Sequence, residues 1–218
     1  LSSGHSSRSS SAGIPIVGLV GGVGAGKSSI VRDVTALRLH VIDADRIGHE
    51  QLLVGGIRKK IVNEFGDQIL DENGEIDRRR LAAMVFGSSV LQQVRRTRLN
   101  DIVHPAIQEE IRRQIRDTPE GVDAIIIDAA LLLEAGWEEE CDALIFIDTP
   151  LQLRQSRVAQ TRGWSADEHE RREASQWDSE RKRKYCHYTV DNSGTPESAA
   201  VQMKRCLKEI IERTRSQA

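Results

Sequence analysis

The chain has 218 residues, 31 Lys+Arg against 33 Asp+Glu, and a formal net charge of −2, with 29% charged and 39% hydrophobic residues. That length suits one α/β domain with insertions, and the near-neutral balance excludes a global basic field for nucleic acid or an anionic membrane surface. Cys141, Cys186 and Cys206 are odd in number with no CxxC pair, which excludes a disulfide framework or a zinc site and fits reduced thiols in the cytoplasm. The longest apolar stretch, "AIIIDAALLLEAG", carries Asp128 and Glu134 and is too short to cross a bilayer.

Residues 1–13, "LSSGHSSRSSSAG", are low-complexity and serine-rich, and read as an expression remnant or a disordered leader outside the fold. An organelle-targeting segment upstream stays open. "IPIVGLV" (14–20) is the first of five apolar, β-branched runs, followed by "LHVIDAD" (39–45), "DAIIIDA" (123–129), "DALIFID" (142–148) and "YTVDN" (188–192). Continuous apolar runs predict strands covered on both faces, as in a parallel sheet. Helical periodicity separates them, over 27–37, most of 46–118, 151–160, 165–186 and 195–215. Strand–helix alternation predicts an α/β fold with a doubly wound parallel five-stranded sheet, its core at 14–45, 119–150 and 188–218. The gap between the second and third strands is too long for one crossover and predicts a helical insertion over 46–118. A second insertion, 151–187, is dense in charge with few apolar anchors, and is expected to pack poorly and move.

"GGVGAGKSS" (21–29) is the Walker A pattern of a P-loop NTPase, Gly21-x4-Gly26-Lys27-Ser28, between a predicted strand and a predicted helix. Glycines let backbone N–H groups turn around phosphates, and a helix N-terminus adds positive potential. Gly22, Val23, Gly24, Ala25, Gly26, Lys27, Ser28 and Ser29 are therefore the expected ATP contacts. Lys27 is expected at the β- and γ-phosphates, and Ser28 at Mg²⁺, mainly through water and the phosphates. Asp43 and Asp45 close the second strand, where ligands of parallel sheets bind, and an i, i+2 pair on a strand would face one site. Either could accept a hydroxyl proton, and either could be a helix N-cap. Asp128 resembles a Walker B carboxylate, and an acidic residue ending a strand is also a common cap. Arg154, Arg157 and Arg162 recur at helix-compatible spacing after the fourth strand. They read as a solvated face, or as a basic lid that covers a phosphate and excludes water.

In order and spacing, "GLVGGVGAGKSS", "VIDADRIGHE", "FGDQILDENGEIDRRRLAAMVF", "RLNDIVHPAI", "DAALLLEAGW", "RGWSADEHERREASQ" and "VDNSG" resemble the dephospho-CoA kinase family, from about residue 15 to 215. The resemblance implies a nucleoside-monophosphate-kinase-like core, an acceptor-binding insertion and a lid over 151–187. It also implies transfer of the ATP γ-phosphate to the ribose 3′-hydroxyl of dephospho-CoA, the last step of coenzyme A biosynthesis. Residue by residue, it implies Asp45 as base, Lys27 as phosphate-loop lysine, and Arg157 or Arg162 as lid arginines. It implies Asp43, Arg78, Asn100, His104 and Glu134 as acceptor contacts, and Asn192 and Gly194 as a turn near adenine. His49 stands where many members have Arg, and Ala130 begins a segment that is "PLLFE" in many. In these variants the chain is more similar to the kinase domain of eukaryotic CoA synthase. The spacing between Arg157 and Arg162 is one residue longer than in some bacterial members, leaving the lid arginine open. His104 also reads as a packed or capping residue, and Trp137, Trp164 and Trp177 as core or lid anchors.

Another P-loop kinase of nucleotides or nucleosides shares the loop, the aspartate and the lid, so that alternative stays open. A regulatory GTPase would need an Asn-Lys-x-Asp run, and "IDTPLQLR" stands in its place. A monomer acting on small molecules, without nucleic acid, is expected.

Overall fold

The computed structural model describes residues 13–87 and 89–217. The expected leader, residues 1–13, lies outside them except for Gly13. In chain order the elements are β1 (Ile16–Gly21), α1 (Lys27–Arg32), β2 (Leu39–Asp43), α2 (Ala44–Gln51), α3 (Gly55–Phe65), α4 (Arg78–Val85), α5 (Val90–Arg116), β3 (Ala124–Asp128), β4 (Ala143–Asp148), α6 (Leu151–Arg162), α7 (Ala166–Glu173), α8 (Ser179–Tyr185), β5 (Tyr188–Asp191) and α9 (Pro196–Gln217). They form two compact units: the described residues up to Ile42 with those from Arg116 onward, and Asp43–Ile115.

In the first unit, β1 is buried at all six positions and β3 at all five, which is why their sequences show no polar alternation. The parallel sheet has the order β2-β3-β1-β4-β5, with β1 between β3 and β4. Register pairs Val17 with Ile126 and Ala143, and β5 runs beside β4 with Val190 opposite Ile147. Val17, Leu19, Ile126, Ile145, Ile147 and Val190 join one apolar cluster with Ile30 and Val31 of α1. α9 adds Ala199, Met203, Cys206, Leu207 and Ile210, an i, i+4, i+7, i+8 stripe that fits one helix face on the sheet. Each such large side chain taken out of water contributes roughly 1.5–3 kcal/mol.

Three boundaries differ from the sequence reading. β2 stops at Asp43, whose carboxylate accepts from the Arg46 N–H at 2.8 Å and caps α2. Asp45 therefore stands in the first turn of a helix, and the expected i, i+2 strand pair does not exist. α1 ends at Arg32, where the Val34 N–H bonds back to Val31 at 3.1 Å and the chain turns to bury Val34. The pattern over 165–186 splits into α7 and α8, because Asp178 caps a new helix by accepting from the Arg181 N–H.

The segment expected to pack poorly is packed, and charged residues anchor it. Arg154, His169 and Lys182 are 7%, 1% and 1% exposed, beside a single buried valine of α6, Val158. All three cysteines are free. No helix among the described residues is long and apolar enough to cross a membrane.

In the second unit, Asp77 caps α4 by accepting from the Arg79 and Arg80 N–H groups at 2.8 and 3.2 Å. Its buried side chains include Ile47, Ile61, Phe65, Ile69, Leu81, Val85 and Ile111, drawn from α2 through α5 and the turn between α3 and α4.

Candidate nucleotide site

β1 delivers the chain into the turn Gly22–Gly26, and the carbonyls of Gly21, Val23 and Ala25 are each taken by side chains. The Gly21 carbonyl accepts from Lys182 Nζ at 3.4 Å, and that of Val23 from Arg154 Nη1 at 3.2 Å. His169 Nε2 stands 3.1 Å from the same Val23 oxygen. The Ala25 carbonyl accepts from Asn192 Nδ2 at 2.8 Å, Thr149 Oγ1 at 2.9 Å and Arg157 Nη1 at 3.3 Å. The Val23 N–H, expected at ATP, is itself taken by Glu173 Oε2 at 2.9 Å and the Ala25 N–H by the Gly22 carbonyl at 3.1 Å, so the remaining amides of the turn are those able to form the positive nest that binds phosphate.

Glycine is required here by close approach as well as by conformation. A Cβ on Gly22 would lie 2.5 Å from Arg154 Nη1 and 3.0 Å from Glu173 Oε1. A Cβ on Gly24, at φ 80°, would lie 2.7 Å from the Arg154 carbonyl and 2.8 Å from Val158 Cγ1. α6 thus packs so closely on the loop that a Cβ at Gly22 or Gly24 would clash with it.

Ser28 Oγ donates to Asp128 Oδ2 at 2.5 Å, joining the Walker serine to the end of β3. Hydroxyl and carboxylate are hard oxygen donors suited to Mg²⁺. Among the described residues no group of three or more His, Cys, Asp or Glu could hold an ion by itself. Mg²⁺ characteristically takes one or two protein oxygens and completes its shell with water and phosphate, so this pair fits it.

Under the loop lies a second lysine. Lys182 Nζ is 2.6 Å from Gln176 Oε1 and 3.2 Å from Glu134 Oε1, with side-chain exposures of 2% for Lys182 and 14% for Glu134. Burial pushes its pKa below the ordinary lysine range, Glu134 pulls it partly back, and the Lys27 charge lowers it further. Glu134 Oε1 also accepts from the Trp177 N–H at 2.7 Å, while its Oε2 is buried with no hydrogen-bond partner. The carboxylate expected at the acceptor is therefore engaged beneath the phosphate loop.

The other expected ATP residues are distributed unevenly. Asn192 is 4% exposed and spends its amide on the Ala25 carbonyl, while Gly194 is exposed. Arg157 spans the Ala25 and Asn192 carbonyls at 3.3 Å each, so it braces the loop. Arg162, exposed at the end of α6, lies 4.8 Å over the Trp164 ring, with Arg172 at 4.2 Å from the same ring. Ser29 is exposed and accepts from Arg32 Nη2 at 3.2 Å.

In the second unit, Asp43 and Asp45 are exposed at the start of α2. His49, near the end of that helix, meets Arg78 with Nε2 and Nη2 2.7 Å apart, so the imidazole accepts and its proton belongs on Nδ1. Burial and the Arg78 charge lower its pKa, against the opposing pull of Asp45 and Asp43. Asn100 and His104 are half-buried on α5, and burial lowers the His104 pKa while Asp101 opposes it. Glu173, His169, Lys182 and Thr149 were not singled out from sequence, since nothing local separates them from a solvated charged run.

The family model for dephospho-CoA kinase matches residues 15–197. A dephospho-CoA kinase of Carboxydothermus hydrogenoformans is 36% identical over 197 residues, covering 89% of this chain and 94% of its own. One of Thermobifida fusca is 35% identical, covering 92% and 98%. A crystal structure of a Thermus thermophilus protein superposes with a TM-score of 0.76 at 26% identity over 90% of this chain and 97% of its own. At 22% identity, a dephospho-CoA kinase from Campylobacter jejuni shares the fold with a TM-score of 0.57, covering 91% and 98%.

Proposed function

Because this chain belongs to the dephospho-CoA kinase family, whose members transfer phosphate from ATP to dephospho-CoA, we propose that the acceptor atom is the ribose 3′-hydroxyl and that the products are CoA and ADP. The observation that carries the donor half of this reading is the phosphate loop itself, with its carbonyls held outward by Lys182, Arg154, Asn192 and Thr149. In the transfer, a bond forms between the acceptor oxygen and the γ-phosphorus while the γ-phosphorus–bridging-oxygen bond breaks. The electron pair leaves with ADP, and the hydroxyl proton passes to Asp45. Lys27 neutralises charge on the β- and γ-oxygens, and the loop amides hold the phosphates in line. Ser28 and Asp128 would hold Mg²⁺, which when bound supplies charge neutralisation across the phosphates.

Asp45 as base draws support from its family position and from its exposed carboxylate in the first turn of α2, where Asp43 already serves as the cap. Arg162 is the better lid cation of the two expected, since both terminal nitrogens of Arg157, Nη1 and Nη2, donate to carbonyls. Arg78, Asn100 and His104 are the proposed acceptor contacts.

The test is ADP release and product formation with dephospho-CoA, AMP, adenosine and a pantetheine-type acceptor side by side. Dephospho-CoA should be the preferred acceptor, and preference for AMP would sink the reading. Asp45→Asn should lower kcat roughly 10²–10⁴-fold with ATP affinity nearly intact. Near-normal turnover in that variant would remove Asp45 from the mechanism.

A further inference from the structure

One residue of the phosphate loop, Val23, is held at both its N–H and its carbonyl by the charged segment 151–187. The Val23 N–H donates to Glu173 Oε2 at 2.9 Å, and the Val23 carbonyl is met by Arg154 Nη1 and His169 Nε2. Glu173 and His169 stand one turn apart on α7, so a single helix grips donor and acceptor of the same residue. Arg154 closes the group: its Nη1 donates to Glu173 Oε1 at 2.6 Å, and its Nε to the Thr149 carbonyl at 3.1 Å. Side-chain exposures are 8% for Arg154, 26% for Glu173 and 1% for His169. A methyl group on Gly22 would strike this pair, so the loop is shaped to receive it.

Two consequences follow. α7 cannot leave the loop without stripping partners from the Val23 N–H and carbonyl, so lid position and loop shape change together. A carboxylate beside a triphosphate site would repel its ligand, but here Arg154 neutralises it from the same side. We propose that Glu173 is a positioning residue that ties the lid to the phosphate loop through Val23, so that water is excluded whenever the loop holds its phosphate-binding shape. The inference rests on the kinase reading above. Its signature is the partition of the γ-phosphate between acceptor and water, which a residue that only stabilises the fold would not change.

The experiment compares the wild-type chain with Glu173→Gln and, as a control on the exposed side of α7, Glu170→Gln. ADP and phosphorylated dephospho-CoA are quantified in the same reactions. Wild type and Glu170→Gln should give nearly one ADP per product. In Glu173→Gln, losing the charge-assisted bonds should raise ADP formed per product about tenfold. An unchanged ratio overturns the proposal, even if overall rate falls. Should Glu173→Gln fail to fold, amide hydrogen exchange on the wild type decides: on adding ADP, the loop and α7 must gain protection together. Protection of the loop with α7 unaltered also overturns it. A wild type that phosphorylates AMP and not dephospho-CoA refutes the dephospho-CoA reading instead, and leaves the exchange result to judge the clasp.

Discussion

Replacing Lys182 by methionine separates what a buried ion pair does for stability from what it does for the site. Lys182 and Glu134 stand 3.2 Å apart with side-chain exposures of 2% and 14%, so neither charge is well solvated. Burial outweighs the attraction of Glu134 and holds the Lys182 pKa below the lysine range, which means desolvation is not fully offset by the pair. Removing one partner from such a pair costs about 3–5 kcal/mol, because the other charge is left uncompensated. Lys182→Met should lower unfolding free energy by about that much in urea titrations at neutral pH. Lys182→Met/Glu134→Gln should recover most of it, since the glutamine oxygen can still accept from the Trp177 N–H. The residual loss should be about 1–3 kcal/mol, for the Gly21 carbonyl and Gln176 Oε1 left without a donor. If the single variant costs under about 1 kcal/mol, or the double costs as much as the single, the uncompensated-charge argument is refuted. The pH dependence gives a second check. A folded pKa below the unfolded one means the unfolded chain binds more protons just under the ordinary lysine range. Wild-type stability should therefore gain there with rising pH, and Lys182→Met should lack that gain. A double variant that is stable but weak in ATP binding would show that the ammonium also shapes the loop.

Gly24→Ala forces a side chain into a left-handed residue 2.7 Å from the Arg154 carbonyl, and calorimetry should show ATP affinity falling about tenfold or more. Gly56→Ala, facing open space, should leave affinity unaltered. His49 should titrate below free histidine by NMR, Arg78→Ala should raise its pKa and Asp45→Asn should lower it further; no response to Arg78→Ala would break the assigned pair. Since the unfolded chain takes up that proton first, His49 should cost stability as pH falls below about 6.5, through its lowered folded value. Glu110, bonded to Arg113 and Gln114, should titrate at about 2 by carboxyl NMR, its contribution lost as pH falls from the usual glutamate range through that value. Burial lifts all three thiols, Cys186 to about 12, so iodoacetamide at pH 8 should label the native chain far more slowly than free cysteine.

Patterns within a few residues decided what could be read from sequence. β1, β3 and β4 are buried almost throughout, and continuous burial writes itself into sequence as an unbroken β-branched run. The phosphate loop was legible because close approach by Arg154 and Val158 leaves no room for a Cβ at Gly22 or Gly24, so the glycines stand in the sequence itself. Asp43 misled, because a carboxylate ending a strand and one capping the next helix occupy the same place in sequence. Only the cap bond to the Arg46 N–H tells them apart, and it moves Asp45 from strand to helix. The charged segment misled more deeply. Composition describes 151–187 as a solvated charged run, yet Arg154, His169 and Lys182 find their carbonyl partners 131, 146 and 161 positions away. A window of helical periodicity cannot see a partner at that distance, so charges that anchor and charges that float look alike until the chain is folded. The charged segment is thus the other half of the phosphate loop: the turn between β1 and α1 supplies the backbone, and α6 to α8 hold its Gly21 and Val23 carbonyls and the Val23 N–H.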